Sequence, residues 1–269
     1  MFGGFTGFNQ NKGEDWGENL LNSVASKTIR HLFTACEEID VKVRCQPSSK
    51  ILQGTIDSFK MSGKGLVIRR EFRATEMSFE TDAVSLDFAS VLQGNIALKQ
   101  PTQAIAQVKL SESDINQSFK ADLVRKRLEN LNIEALTQIS GGEPVSFLDV
   151  KLQLLPNNGL KLFAKAVWSE KSVPIIMIST LAVAKRRKVL FKDIQFELEA
   201  IPPDVREISQ QLTENLAEIL NNMVDLDRFN LDGVTMRINR LETQGANLLF
   251  SGYAQIERVP KTGASSNRK

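Results

Sequence analysis

The order of hydrophobic patterns restricts the fold most: three stretches of helical periodicity stand among many short alternating stretches separated by turn residues. In the first, over residues 20–33, Leu20, Leu21, Val24, Ala25, Ile29 and Leu32 recur opposite Ser23, Ser26, Lys27 and Arg30. Ile39, Val41 and Val43 then alternate with Asp40, Lys42 and Arg44. Further strands are expected over 55–61, 66–72, 75–79 and 84–88, with breaks at Gly54, at Ser62-Gly63-Lys64-Gly65 and at Gly94. Residues 96–100 and 104–110 add two more.

Ser111 is placed to cap a second helix, with Asp114 reaching back in a capping box and Ile115, Phe119, Leu123, Val124 and Leu128 on its apolar face. The chain breaks over 139–144. A second strand series starts with Val150, Leu152 and Leu154, and Pro156-Asn157-Asn158-Gly159 is a hairpin turn into a strand over 160–168. Residues 173–183 are almost continuously apolar, which predicts a strand covered on both faces. Ile194, Phe196, Leu198 and Ala200 alternate with polar residues, and Pro203 suits the first turn of a third helix carrying Val205, Ile208, Leu212, Leu216, Ile219, Leu220 and Met223. A last hairpin, 234–241 with 247–256, turns at Thr243-Gln244-Gly245.

A few long helices among runs of hairpin-spaced strands predict an α+β fold of antiparallel sheets and argue against parallel βαβ units. The reading is one domain over residues 17–260, with two similar halves at about 17–110 and 111–260, between a Gly/Phe-rich tail (1–16) and a disordered tail (261–269). Ile51-Leu52-Gln53-Gly54-Thr55-Ile56 is echoed by Val91-Leu92-Gln93-Gly94-Asn95-Ile96, a hint that one strand-turn unit is used twice.

Chemistry-bearing residues are sparse. His31 is the single histidine, at the border of the first helix's apolar face, which disfavours triad hydrolysis. Cys36 and Cys45 match neither a redox nor a zinc spacing and read as reduced or buried. Glu37, Glu38, Asp225 and Asp227 fall at element ends, where solvated or capping acids are common, and Gly3, Gly4 and Gly7 do not bridge a strand and a helix as a phosphate loop must. No cofactor or metal is implied. With 34 Lys and Arg against 32 Asp and Glu, the net charge of +2 exerts no general pull on nucleic acid, which is not expected as a partner. Local cation groups remain at Lys185, Arg186, Arg187 and Lys188 and at Arg69, Arg70 and Arg73, and Phe2, Phe5 and Phe8 line one side of an extended tail. The start reads as no secretory signal and no stretch reads as a spanning helix, so the expected location is cytoplasmic, peripheral to a membrane at most.

Several of these segments together resemble the LmeA-like phospholipid-binding family, a former family of unknown function common in cyanobacteria and actinobacteria. The resemblance runs over about residues 20–259. It is carried by Val41-Lys42-Val43 before Pro47, by Leu52-Gln53-Gly54-Thr55-Ile56-Asp57 with Gly63-Lys64-Gly65-Leu66-Val67, by residues 106–116 ending in Asp114-Ile115-Asn116, and by residues 245–254. These are structural motifs and contain no catalytic fingerprint. The resemblance implies a fold similar to tubular lipid-binding proteins, with strongly curved antiparallel sheets wrapped around long amphipathic helices and an apolar crevice between them. It also implies a non-enzymatic lipid ligand and hence a lipid or membrane surface as partner, with any protein partner undetermined. Actinobacterial members are exported or anchored, and no such segment is read here. On this basis the groove is expected to be lined by Ile115, Phe119, Leu123, Ile175, Met177, Leu212 and Leu216, with Lys185, Arg186, Arg187 and Lys188 meeting the headgroup. Two alternatives stand beside it: an assembly protein holding a partner through sheet edges and the Phe-rich tail, and a lipid hydrolase using a carboxylate or serine.

Overall fold

The computed structural model of the protein describes residues 14–68, 71–228 and 233–258. The expectations for Phe2, Phe5 and Phe8, for Gly3, Gly4 and Gly7, for Arg69 and Arg70, and for the tail 261–269 lie outside the described residues.

Helix α1 (Glu14–Arg30) turns its Leu21 and Ala25 into a core shared with β1 (Glu38–Arg44), β3 (Ser58–Ile68) and β4 (Phe72–Thr81). The expected break at Ser62-Gly63-Lys64-Gly65 does not occur, and β3 runs straight through it. Gly63 is there for closeness, since a Cβ on it would stand 3.0 Å from the Glu38 carbonyl oxygen of the neighbouring strand. The strand expected over 84–88 shrinks to β5 (Val84–Ser85), paired with β2 (Thr55–Ile56), and is followed by the short helix α2 (Phe88–Leu92), which Asp87 caps. Residues 96–100 form no strand beyond a single bridge between Leu86 and Leu98.

After β6 (Thr102–Ser111) the capping box forms as read: Ser111 accepts from the Asp114 N–H, and Asp114 accepts in return from the Ser111 N–H. The helix it starts is shorter than expected. It divides into α3 (Glu112–Ser118) and α4 (Asp122–Arg125), and α5 (Glu134–Ser140) precedes a meander of β7 (Ser146–Leu154), β8 (Gly159–Trp168), β9 (Lys171–Ala184) and β10 (Lys188–Phe196). The turn into β8 has Asn157 and Asn158 at φ 57° and 60°, as an Asn-Asn turn permits. Helix α6 (Arg206–Met223) buries Leu212, Leu216 and Leu220, and the hairpin β11 (Val234–Gln244) with β12 (Asn247–Ile256) ends the described chain.

All strand pairs are antiparallel, in a six-stranded sheet β1-β3-β4-β6-β12-β11, a four-stranded sheet β10-β9-β8-β7 and the β2-β5 ribbon. The fold class is therefore α+β with antiparallel sheets. No sheet closes among the described residues; α1 packs on the first sheet and α6 on the second. Strand β9 differs from its expected double cover: Val173, Ile175, Met177, Ser179 and Leu181 are buried while Pro174, Ile176, Ile178 and Thr180 on the other face are only half-covered.

Bulges explain where alternation changes phase. In β7, β10 and β11 one extra residue enters the ladder, so the core side passes from Phe147 to Val150, from Phe191 to Ile194 and from Ile238 to Leu241. Asp149 and Asp193 sit in the first two bulges at φ 53° and 52°.

The buried residues form two cores, one from residues 21–110 and one from 115–250. Each half opens with a helix ahead of four antiparallel strands, α1 with β1-β3-β4-β6 and α3 with β7-β8-β9-β10, while α6 supplies the helix buried in the second core. A shared device joins helix to sheet. Glu18 and Asn22 of α1 accept hydrogen bonds from the edge amides of Cys45 (2.6 Å) and Val43 (2.7 Å), while Glu112 and Asn116 of α3 accept from those of Leu154 (2.8 Å) and Leu152 (2.7 Å). Four helical residues rise about 6 Å and two strand residues about 6.7 Å, so a Glu-x-x-x-Asn pair matches alternate amides of an edge strand.

Candidate functional site

A cavity of about 90 Å³ lies between α1 and the first sheet. Leu21, Ala25, Thr28 and Ile29 of α1 form its roof, and Val43, Ile56, Phe59 and Val84 form its floor. Its outer wall consists of Leu86, Ile96, Leu98, Thr102 and Ile256. The surface presented is wholly apolar. The Thr81 hydroxyl, which could have added polarity, is engaged by accepting from the Phe59 N–H (3.2 Å) and donating to the Asp82 carbonyl (2.9 Å). Ile29, Ile96, Leu98 and Ile256 are only half-buried, so this side forms the mouth. No titratable side chain among the described residues lines it.

Larger hollows are open and mixed in polarity. One of about 610 Å³ crosses the outer face of the first sheet, over the ion pairs Lys64–Glu38, Lys109–Glu76 and Arg240–Glu242. Another of about 620 Å³ runs between α3–α4 and β7, past Asn116, Phe119, Lys120, Arg125 and Leu148. An acyl chain laid in either would remain partly in water, which removes most of the gain from burying it. The small dry cavity suits such a chain better than the wide wet troughs.

The residues expected to line a groove fall in three places. Ile175, Met177, Leu212 and Leu216 come together, but as the fully buried centre of the second core, where they pack on one another and on Leu160 and Leu162. Ile115 and Phe119 lie half-buried at the margin of that core, Phe119 beside the α3–α4 trough, and Leu123 is exposed. None of the seven lines the apolar cavity. Sequence patterns do not mark the residues that do, because a void is an absence of volume. One signal is present: Ala25 and Thr28 are small residues amid Leu21 and Ile29 on the inner stripe of α1.

The four cations of the β9–β10 hairpin are brought to one tip, with Lys185 and Arg186 at φ 50° and 56°. Much of their charge is spent within the fold. Arg187 donates to Asp225 (3.2 Å) and Asp227 (2.6 Å), and Lys188 lies 3.8 Å from the buried Asp225. Arg186 donates to Asn239 and stands over the Tyr253 ring at 5.0 Å, while Lys185 is exposed. Arg237 and Arg187 hydrogen-bond to Asp227 strongly enough to hold its carboxyl below the usual range, although partial desolvation opposes them.

None of the other candidate groups lines the cavity. His31 is exposed at the end of α1, its Nδ1 against the Lys27 carbonyl oxygen. Glu37 pairs with Arg73 and Glu38 with Lys64. Burial, reinforced by the Asp57 and Glu18 charges, pushes the Cys45 thiol up, so it is a poor nucleophile. Both cysteines are free. Among the described residues no group of acids, histidines and cysteines is placed to hold a metal ion, and no helix is long and apolar enough to cross a membrane.

No curated protein and no solved structure shows a significant match to the chain. A family model does: it covers residues 12–252, which include α1, both sheets except the end of β12, and the whole lining of the cavity except Ile256. The chain thus belongs to the LmeA-like phospholipid-binding family.

Proposed function

We propose that the protein binds a polar lipid without chemistry, taking acyl methylenes into the cavity beneath α1. The observation that carries this reading is the wholly apolar lining of that cavity in a chain whose family is described as phospholipid-binding. Each methylene moved from water into such a site contributes about 0.8 kcal/mol. At about 90 Å³ the cavity takes only a few methylenes; an apolar void of about 150 Å³ is what benzene occupies in an engineered protein. A whole acyl chain therefore requires α1 to rise from the edge of β1, releasing the bonds from Glu18 and Asn22. In this reading the curved, helix-wrapped tubular form belongs to the lipid-loaded state, and contact with a membrane is peripheral.

A non-enzymatic role is supported by the lack of any titratable side chain along the described lining and by the ion pairing of Glu37, Glu38, Asp225 and Asp227. Assembly through sheet edges has less support. Helix side chains already take amides of the edge strands β1, β7 and β10, the last through Asn221 and Phe191 (2.6 Å).

Native mass spectrometry and organic extraction of the purified protein test the reading: co-purifying polar lipid is the expected result. Ala25→Leu, which fills the void with side chain, should abolish lipid loading while leaving the melting temperature unchanged or slightly raised. Equal lipid content in the wild type and in this variant would refute the cavity as the site.

A further inference from the structure

We propose that Leu52 and Leu92 form a docking end that inserts into a phospholipid bilayer and sets the mouth of the cavity against it. This rests on the lipid reading of the cavity. The two leucines occupy equivalent places in the repeated phrase Ile51/Val91-Leu-Gln-Gly. Each phrase ends a short helical segment, Ser48–Gln53 and α2, and each segment is followed within two residues by a glycine in the left-handed region, Gly54 at φ 76° and Gly94 at φ 78°. Within each phrase the first residue, Ile51 or Val91, is buried in the first core, while the following leucine faces water at 68% and 61% exposure. Of the six large apolar side chains exposed among the described residues, only Ile105 is comparably bare, at 64%, and it lies on β6 in the middle of the polar sheet face.

The turns belong together and to the cavity. They lie against each other, and the segments leading out of them carry Ile56, Ile96 and Leu98, three of the lining residues. The Gly54 carbonyl accepts from the Leu86 N–H (2.7 Å), and the Asp87 N–H donates to the Ala97 carbonyl (2.8 Å), so the leucine turns and the cavity wall form one hydrogen-bonded unit. Lys99 stands over Gly54, its Nζ 2.9 Å from where a Cβ would be, and adds a cation at the close of the first turn. The first turns of α1 reach this end as well, since Glu18 bonds Cys45 just ahead of the Ser48–Gln53 turn.

Two solvent-exposed leucines on short hydrogen-bonded turns are costly in water and gain by entering the apolar boundary of a membrane, where lysine is favoured at headgroup depth. A lipid leaving the bilayer at this point meets the half-buried Ile96 and Leu98 without crossing water. Docking and uptake then take place at the same end.

Flotation of the full chain with vesicles of equal parts phosphatidylcholine and phosphatidylglycerol tests this. Leu52→Asp with Leu92→Asp should bind at least about tenfold more weakly than the wild type, because both transfers are lost, and Ile105→Asp should bind as the wild type does. Circular dichroism melts of all three should coincide, since each side chain is exposed. Vesicle binding that survives in the double variant, or that falls equally in Ile105→Asp, overturns the proposal. A short-chain phosphatidylcholine kept below its micelle threshold separates docking from cavity filling. Its equal uptake by wild type and double variant, with flotation lost only in the latter, supports docking at the leucines. Failure of both to take it up, with flotation still dependent on the leucines, removes the cavity reading and leaves the docking surface standing.

Discussion

Asp114 is a nearly buried carboxylate, and its neighbours decide that it stays charged. Burial raises its pKa, but the Thr75 hydroxyl (2.5 Å), the groups of Ser111 and the Arg73 guanidinium (2.8 Å) outweigh burial and hold it below the ordinary carboxylate value. A depressed folded-state pKa means stability that is complete above the unfolded pKa, about 3.9, and is lost as pH falls through the lower folded value. Urea denaturation should therefore show Asp114→Ala losing about 2 kcal/mol at neutral pH, with Asp114→Asn flattening the acid limb of the stability profile. An unchanged acid limb would count against this carboxylate as its source. The capping box was legible from Ser111 and Asp114 alone, because it lies within four consecutive residues. The ties to Arg73 and Thr75 were not, because they join positions 41 and 39 residues away.

Among the elements, the three helical stripes and most strands follow from local periodicity, and the departures have local physical causes. Gly63 reads as a break because glycine weakens an isolated strand; in the sheet it permits close approach to β1. The bulges at Asp149 and Asp193 shift phase in ways that alternation alone cannot anticipate. The docking of α3 on β7 rests on Asn116, which both accepts from the Leu152 N–H (2.7 Å) and donates to its carbonyl (2.8 Å). Asn116→Ala leaves both strand groups without that partner and should cost about 2 kcal/mol in thermal or urea melts. Its neighbour Gln117 is exposed, so Gln117→Ala serves as the control and should leave those melts within about 0.5 kcal/mol of the wild type. Glu18→Ala with Asn22→Ala should speed amide exchange at Val43 and Cys45 specifically, since those amides lose their acceptors.

Across the whole molecule, the two cores are unequal. The second is filled by Phe147, Leu160, Leu162, Met177, Leu212 and Leu216, all essentially inaccessible, whereas the first retains the void under α1. A void forfeits contacts on one side, so α1 should open at lower cost than α6. Hydrogen-exchange mass spectrometry is expected to show α1 exchanging ahead of α6, and added phospholipid slowing α1 alone. Protection gained equally by both helices would contradict a ligand seated only in the first core. The hairpin β11–β12 complicates any simple division in two, because it follows the second meander yet pairs with β6 of the first sheet.

Periodicity, turn chemistry and capping signals act over a few residues, and these short-range terms specify the α+β class, the α1 and α6 stripes and most of the hairpins. Residues such as Leu212 and Leu21 look alike in a hydrophobic stripe. Whether such a stripe meets solid packing or empty space depends on side-chain volumes supplied by elements distant in the chain. The position of the void, under α1 and close to Leu52 and Leu92, therefore emerges only once those elements have assembled.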